Sequence, residues 1–589
     1  MMRYTLEVEK YGIYCDGTEA ATTTAGFNQA LKDASEAGIC EIDIPKGIYL
    51  IDGVNEESAL KPEEHAGIIV PSNMTLNLHP EAEFRVAPNG SFGYTCFYIG
   101  EVVNVTIKGG KIRGERYQHD FTGHGDFEKK ETHEWGYGIN VHGARNVVIE
   151  GVDIADCTGD CIMVNAQGML NVSWTTYRPA RNITIKNCKL DGARRNNISV
   201  TGGEDVKIHD NEITNAGIND GCMPMFGIDI EGYGEGDIDY EEPRNVKITN
   251  NTFAGNVAQS VCNFSGYEVV IDGNHSDNSI SYGYGTDTVI ANNTLVRKDK
   301  KYTAITGLGV SAGFNGNNAT ITGNTIKGFS SGIDVRGADV TVSGNTITEL
   351  SADGIALATF EAKNVQFSNN TVHHTAGKHC CARNSSDVTF ENNKLNGSDI
   401  TAIEIIDSDN VIAESNKIKR SKQGAVITRS SAKLIDNDVD LTEYPPSAVS
   451  YAIFFDKGSN VFIKGNRIPE PTNMAINGES AEGRTVRIKG NDITNAKCLI
   501  PIYVIGGKNH EISGNDVTFN RTSSGGYGIQ TKNTDGALVK ENVVYSVNSF
   551  ALYNPIKTAE SINSRVIGNK ISGNLALNKT DIETNNIPI

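Results

Sequence analysis

The sequence predicts an all-β solenoid, a right-handed parallel β-helix with an N-terminal capping helix, and three observations carry that expectation. From Asn211 onward a β-branched run, a turn and the pattern Asn-x-apolar recur, as in DNEI at Asn211, NNTF at Asn251, NNTL at Asn293 and GNTI at Asn324 and Asn345. The intervals between successive turns from Asn211 to Asn569 average about 26 residues and range from 19 to 40. Such a period marks a solenoid, and short β-branched strands select a β-solenoid over a helical one. Within each unit Val and Ile alternate with polar residues, as in ADVTVSGNTITEL from Ala338 to Leu350. A single flat set of strands cannot bury that face, whereas coiling stacks each inward residue on its equivalent ~4.8 Å away.

The elements follow in chain order. TTTAGFNQALKDASEAG, residues 22–38, predicts an amphipathic helix with Phe27, Leu31 and Ala34 on one side, threonines capping its start and Gly38 just past its end. A solenoid needs its open end covered, so residues 1–45 are read as an N-terminal segment carrying that cap. CEIDIPKGIYLI then starts the coils; residues 46–575 are assigned to the β-helix and 576–589 to a C-terminal tail. The recurring asparagines are read as structural: a short amide tolerates left-handed backbone and bonds to neighbouring backbone or to a stacked Asn. Two long insertions, near 114–138 and 217–243, interrupt the repeat, and irregular loops on a regular scaffold are where function tends to sit.

Composition narrows the classes. The 589 residues carry 72 acidic against 53 basic side chains, a formal net charge of −19, which argues against a nucleic-acid groove and against an anionic polymer unless a local basic patch overrides it. Neither a signal-peptide core nor an apolar run long enough to span a bilayer is present, so no membrane is expected. The eleven cysteines lack metal-ligand spacing; Cys157, Cys161, Cys380 and Cys381 read as small apolar fillers. Synthesis in a reducing cytoplasm without a signal peptide follows, with release by lysis in a virion or export by another route.

Stacking relates the two insertions. With Ile139/Val141, Ile162/Val164, Ile198/Val200 and Ile228/Ile230 inward on successive coils, their neighbours form an outward column: Asn140 and His142, Met163 and Asn165, Ser199 and Thr201, Asp229 and Glu231. Asp160 and Arg195 sit at the turn leading into that face. Candidate catalytic residues are Asp160, Glu134, Asp229, Glu231 and His142; candidate substrate-binding residues are Trp135, Tyr137, Asn140, Asn165 and Arg195. Asp229 and Glu231, two apart on a strand, lie ~7 Å apart by strand rise, the separation of an inverting glycosidase pair. His142, about three coils away at ~14 Å, belongs to a second centre or to the other end of one groove. Each has a plainer reading: Asp160 as a corner residue satisfying backbone N–H groups, His142 as a surface residue, Asp229 and Glu231 as solvated carboxylates, Trp135 and Tyr137 as loop anchors. No metal ligand is assigned and no cofactor is required; His119, Asp120, His124 and Asp126 leave a divalent metal as an alternative without a recognised spacing.

Two stretches carry a family resemblance. DGT, a short helix and IDIPKGIYLI resemble the entry of the pectate-lyase-like β-helix superfamily. HEWGYGI with NVVIEGVDIADCTGDCI is similar to its phage branch, the tailspike and pre-neck appendage proteins of phages of Gram-positive hosts such as Bacillus, and related prophage proteins. The branch usually shows Gly-Asp-Gly-Ile where this chain has Gly159-Asp160-Cys161-Ile162, and neither a polygalacturonase Asp-Asp pair nor the aspartate cluster of calcium-dependent lyases is present. The resemblance implies a homotrimer, virion attachment, and binding and cleavage of a bacterial surface glycan or teichoic acid. Hydrolysis is expected over β-elimination, with phosphodiester cleavage open. A non-catalytic adhesin and a free polysaccharide lyase or glycoside hydrolase are the alternatives.

Overall fold

The computed structural model describes residues 3–55, 65–122, 133–235, 238–308, 318–373, 375–445, 451–521, 525–548 and 554–589. They fall into two compact units, Met1–Val296 with Val310–Ala319, and Arg297–Gly309 with Thr320–Ile589. Each is a right-handed parallel β-helix in which a typical coil contributes three short strands, two of them fused in coils such as Ser331–Ser343 and Ile355–Ser368, and each strand pairs with its equivalent in the next coil. In the first unit Trp135–His142 (β1) is followed by Arg145–Glu150 and Asp153–Ala155, and the next coil repeats them as Ile162–Asn165 (β2), Ala180–Lys186 and Lys189–Asp191. Ile198–Val200 (β3) and Phe226–Ile230 (β4) continue the first of these sheets. In the second unit the same sheet position is held by Ile453–Phe455 (β5), Ile476–Glu479 (β6), Ile502–Ile505 (β7), Tyr527–Lys532 (β8) and Asn554–Ala559 (β9).

The interior is the stacked aliphatic column that alternation foretells. Ile139, Ile162, Ile198 and Ile228 pair in register, as do Val141, Val164, Val200 and Ile230, all fully buried. Each such side chain contributes about 1.5–3 kcal/mol by leaving water. The buried cysteines Cys157, Cys161, Cys380 and Cys381 are free thiols.

The asparagine turns form ladders. Asn211, Asn251, Asn274 and Asn293 in the first unit, and Asn324 through Asn586 in the second, are stacked so that each Oδ1 accepts from the backbone N–H and the side-chain amide of the preceding Asn. The second N–H of each amide reaches a backbone carbonyl of the coil before, as Asn345 Nδ2 does to Ile321 at 3.0 Å. One expectation is corrected: the stacked asparagine is not left-handed. The residue before it is, including Asn250, Asn292, Gly323, Gly344, Asn369, Asp436 and Gly568. The left-handed residue turns the chain, and the Asn caps the exposed backbone behind it. The pattern also runs beyond Asn569, since Ile582–Thr584 and Ile587–Pro588 pair with the preceding coil.

The cap is a helix, Ala20–Glu36 (α1), with Phe27, Ala30, Leu31 and Ala34 buried. Phe27 meets Tyr49 edge-on at 5.1 Å and Phe84 at 5.6 Å, closing the aromatic interior of the first coils. Gly38 follows the helix at φ 71°, as expected. The threonines do not cap it: they lie inside the helix, and Thr24 Oγ1 donates to Ala20 O at 2.8 Å while accepting the Asp52 N–H at 2.9 Å. The coils begin earlier than CEIDIPKGIYLI, because Arg3–Thr5 already pairs with Glu41–Ile44.

Candidate functional site

The first unit brings the two insertions together. Arg116, at the start of the first, donates to the carbonyls of Ile218 at 2.5 Å and Asn219 at 3.0 Å in the second. Behind it lies a buried chain in which Glu115 accepts from Thr158 at 2.9 Å and contacts His119 Nδ1 at 2.8 Å, while His119 Nε2 lies 2.9 Å from His133 Nδ1. Both ring nitrogens of His119 are thereby engaged inside the protein. Among the described residues no group of three or more His, Cys, Asp or Glu is placed to hold a metal, and His124 and Asp126 lie outside them.

At the corner before β2 the carboxylates converge. Asp160 is fully buried; its Oδ1 accepts the Asn196 backbone N–H at 2.9 Å and its Oδ2 meets Arg195 Nη1 at 3.1 Å. Arg195 Nε lies 3.4 Å from Glu134 Oε2, so one guanidinium spans both acids. Gly159 makes this approach possible: a Cβ there would sit 2.2 Å from the Glu134 carbonyl oxygen. The Asn196 amide donates to Ser199 Oγ at 3.0 Å and to Asp229 Oδ2 at 3.3 Å, carrying the network two coils along. Asp229 Oδ1 accepts no hydrogen bond. Burial first, then the Glu231 charge, push Asp229 up to about 8 against the pull of Arg195. Burial likewise raises Glu134 and Asp160, again opposed by Arg195. Glu134 and Arg195 reach solvent, with 29% and 15% of their side chains exposed, whereas Asp160 and Asp229 do not.

The register of the column is as expected: Asn140, Met163, Ser199 and Asp229 pair in sequence on β1 to β4, and His142 pairs with Asn165. Its environment is corrected. All four are buried, and Asp229 is not the solvated carboxylate of its plainer reading, because Asn196 folds back over it and Ser199; Glu231, just past the end of β4, is half-buried. His142 is not a surface residue; it is buried, and its Nδ1 lies 2.8 Å from the Tyr98 hydroxyl. Tyr137 is buried within β1, while Trp135 is half-buried and meets Phe92 edge-to-face with their ring centres 5.5 Å apart. Asp160 does cap a turn, as its plainer reading held.

At the other ends of β1 and β2 from Glu134 and Asp160 opens a cleft of about 600 Å³ lined by His142, Asn165, Met169, Trp174, Tyr233 and Glu241, among others. One wall is residues 166–179, a third excursion that sequence reasoning missed, although its Trp174 is the second of two tryptophans and was a usable signal. Trp174 is 79% exposed and Tyr233 51% exposed. The wall is fixed, not dangling: Leu170 N–H donates to Tyr240 O at 2.8 Å and Glu241 Oε1 accepts the Ala166 N–H at 2.7 Å. The Oδ1 atoms of Asn140 and Asn165 accept no hydrogen bond. Buried or half-buried acceptors beside exposed aromatic faces suit a ligand rich in hydroxyl groups.

Parallel coils and asparagine ladders, with a polar, aromatic-walled cleft on one sheet, define a class of scaffold. The chain belongs to the right-handed β-helix family, whose model, described as "Right handed beta helix region", matches residues 64–219, 174–314 and 308–468. Among curated proteins it is 40% identical to the SPbeta prophage-derived uncharacterized protein YorA of Bacillus subtilis (strain 168) over 99% of this chain and 98% of that one. It is 38% identical to the uncharacterized protein YclG of the same organism over 89% of each chain. Among solved structures, the pre-mature gene product 12 of bacteriophage phi29 is similar at 13% identity and a TM-score of 0.46, covering 98% of this chain and 73% of that chain. Among the described residues no helix is long and apolar enough to cross a membrane.

Proposed function

We propose that the protein is a phage-type depolymerase that binds and cleaves a bacterial surface polysaccharide or teichoic acid by hydrolysis. One observation carries this reading: the coils that form a cleft with exposed aromatic rings also hold a carboxylate network in which Asp229 keeps its proton at neutral pH. Asp229 acts as general acid toward the leaving oxygen. Glu231, one residue past the end of β4, activates water, as in an inverting pair. Arg195 offsets charge that develops between them, and Asp160 positions Arg195 and Asn196. Trp174 and Tyr233 stack on sugar rings in the cleft, and Trp135 does so beside Glu134 at the other end of β1. Prophage origin of a relative spanning nearly the whole chain supports a bacterial surface as the target. A homotrimer and virion attachment belong to the same reading.

A specific observation favours a second reading, an adhesin that binds without cleaving: Asp160 and Asp229 are closed off from solvent. The discriminating experiment incubates the purified protein with Gram-positive cell walls, with and without EDTA, and follows reducing ends, phosphate and 232-nm absorbance together. The hydrolase releases reducing ends alone, insensitive to EDTA, and both D229N and E231Q abolish release while retaining wall binding. Added absorbance identifies a lyase, and EDTA-sensitive phosphate release a metal phosphodiesterase. Binding without any product leaves the adhesin.

A further inference from the structure

The second unit carries a surface that the cleft does not account for. On β5 to β9 five outward positions fall in register on successive coils: Phe454, Asn477, Tyr503, Gln530 and Lys557. We propose that this strip binds an extended polysaccharide chain lying across the coils, separately from the first-unit cleft and whether or not that cleft cleaves.

The order of side chains points to the ligand. The two aromatic rings, Phe454 and Tyr503, stand two coils apart, ~9.6 Å by rung spacing, with the Asn477 amide between them and the Gln530 amide on the coil beyond. That separation is about the span of two sugar rings in an extended chain, so each ring would meet the apolar face of alternate sugars while the amides meet the hydroxyls between. The platform is reinforced at both ends. Tyr451 stacks on Phe454 at 5.6 Å, and the Lys557 ammonium lies 4.5 Å from the centre of the Tyr527 ring. Gln530 is only 7% exposed, yet its Oε1 accepts no hydrogen bond, an acceptor that a sugar hydroxyl would satisfy. No carboxylate stands among the five positions, unlike the acid network of the first unit, so the strip does not repel a neutral or weakly acidic chain.

Two other occupants fit less well. A peptide added as a strand needs free backbone groups, and these strands pair with one another along the coils. A second copy packing here would bury Asn477, Gln530 and Lys557 in what should be an apolar centre.

The test is co-sedimentation of the full-length protein with Gram-positive sacculi stripped of teichoic acid, at a temperature where no product forms. Y503A and Q530A should each weaken binding about tenfold, while Y503F, which keeps the ring, binds as the unaltered protein does. Melting temperature checks that each variant folds, and F454A replaces any that does not. W174A in parallel separates the two surfaces: binding that survives W174A but not Y503A belongs to the strip, even if the cleft reading fails. The proposal is overturned if Y503A and Q530A bind normally, or if binding disappears with the teichoic acid. It also falls if Y503A changes the particle mass by light scattering, which would make the strip a contact between copies.

Discussion

Asp229 is the residue whose environment makes the sharpest demand. Its ordinary value is 3.8 and the folded chain holds it near 8, so between those limits the native state keeps a proton that the unfolded chain releases. Folding takes up that proton, and this residue's contribution therefore becomes increasingly unfavourable as pH rises from about 4 to 8. D229N removes the cost. It should melt above the unaltered protein at pH 8 by the equivalent of on the order of 2 kcal/mol, with the gap closing as pH falls toward 4. An unchanged gap across that range would show that Asp229 is not the titrating group. If Asp229 is the acid, product release by the unaltered protein should decline as pH passes through about 8. Trp174 presents the opposite case. It is 79% exposed, so W174A should leave the melting temperature within a degree or so while lowering affinity for cell-wall glycan about tenfold. A stability loss without an affinity loss would make it a packing residue. Neither property could be read from residue order. Asp229 was placed on the correct rung, but its burial comes from Asn196, more than thirty residues earlier in the chain, folding back over the sheet.

The elements were legible wherever the relevant contact repeats. Alternation of Val and Ile fixes which side of each strand turns inward, and the register Ile139, Ile162, Ile198, Ile228 follows from it directly. The helix α1 was legible from its apolar stripe, but its start was not, because Thr24 satisfies Ala20 O from within the helix. The turns show the same limit. Asn was recognisable as the turn residue, but which of two adjacent residues takes the left-handed conformation depends on the stacking partner in the next coil. Asn393 illustrates what the ladder contributes: it is fully buried, its Nδ2 bonds Phe367 O and Asn416 Oδ1, each at 3.0 Å, and its own Oδ1 accepts from Asn370. N393A strands donors and acceptors on both neighbouring coils, so it should cost about 2–3 kcal/mol by thermal or denaturant unfolding. A cost below about 0.5 kcal/mol would mean that water replaces the amide.

For the molecule as a whole, each coil gains its stability from the coils next to it, so cooperativity extends only as far as neighbouring interfaces hold. Urea unfolding should accordingly give an apparent m-value well below that of 589 residues unfolding in one step, and circular dichroism and tryptophan fluorescence should not share a midpoint, since both tryptophans lie in the first unit. Coincident transitions with a full-sized m-value would refute this. The asparagine ladder has a consequence for how such a chain can change. Within each unit the intervals between successive ladder residues vary from 17 to 40, yet each Asn still meets the next with the same pair of bonds. The turn works as an indexing pin: it resets the phase of the chain once per revolution, so extra residues inserted between pins cannot propagate their offset. A segment such as 217–243, which lies between Asn211 and Asn251 and supplies Tyr233 and Glu241 to the cleft, can therefore be lengthened, shortened or exchanged as a cassette, altering what the wall of the cleft recognises while the winding beneath keeps count.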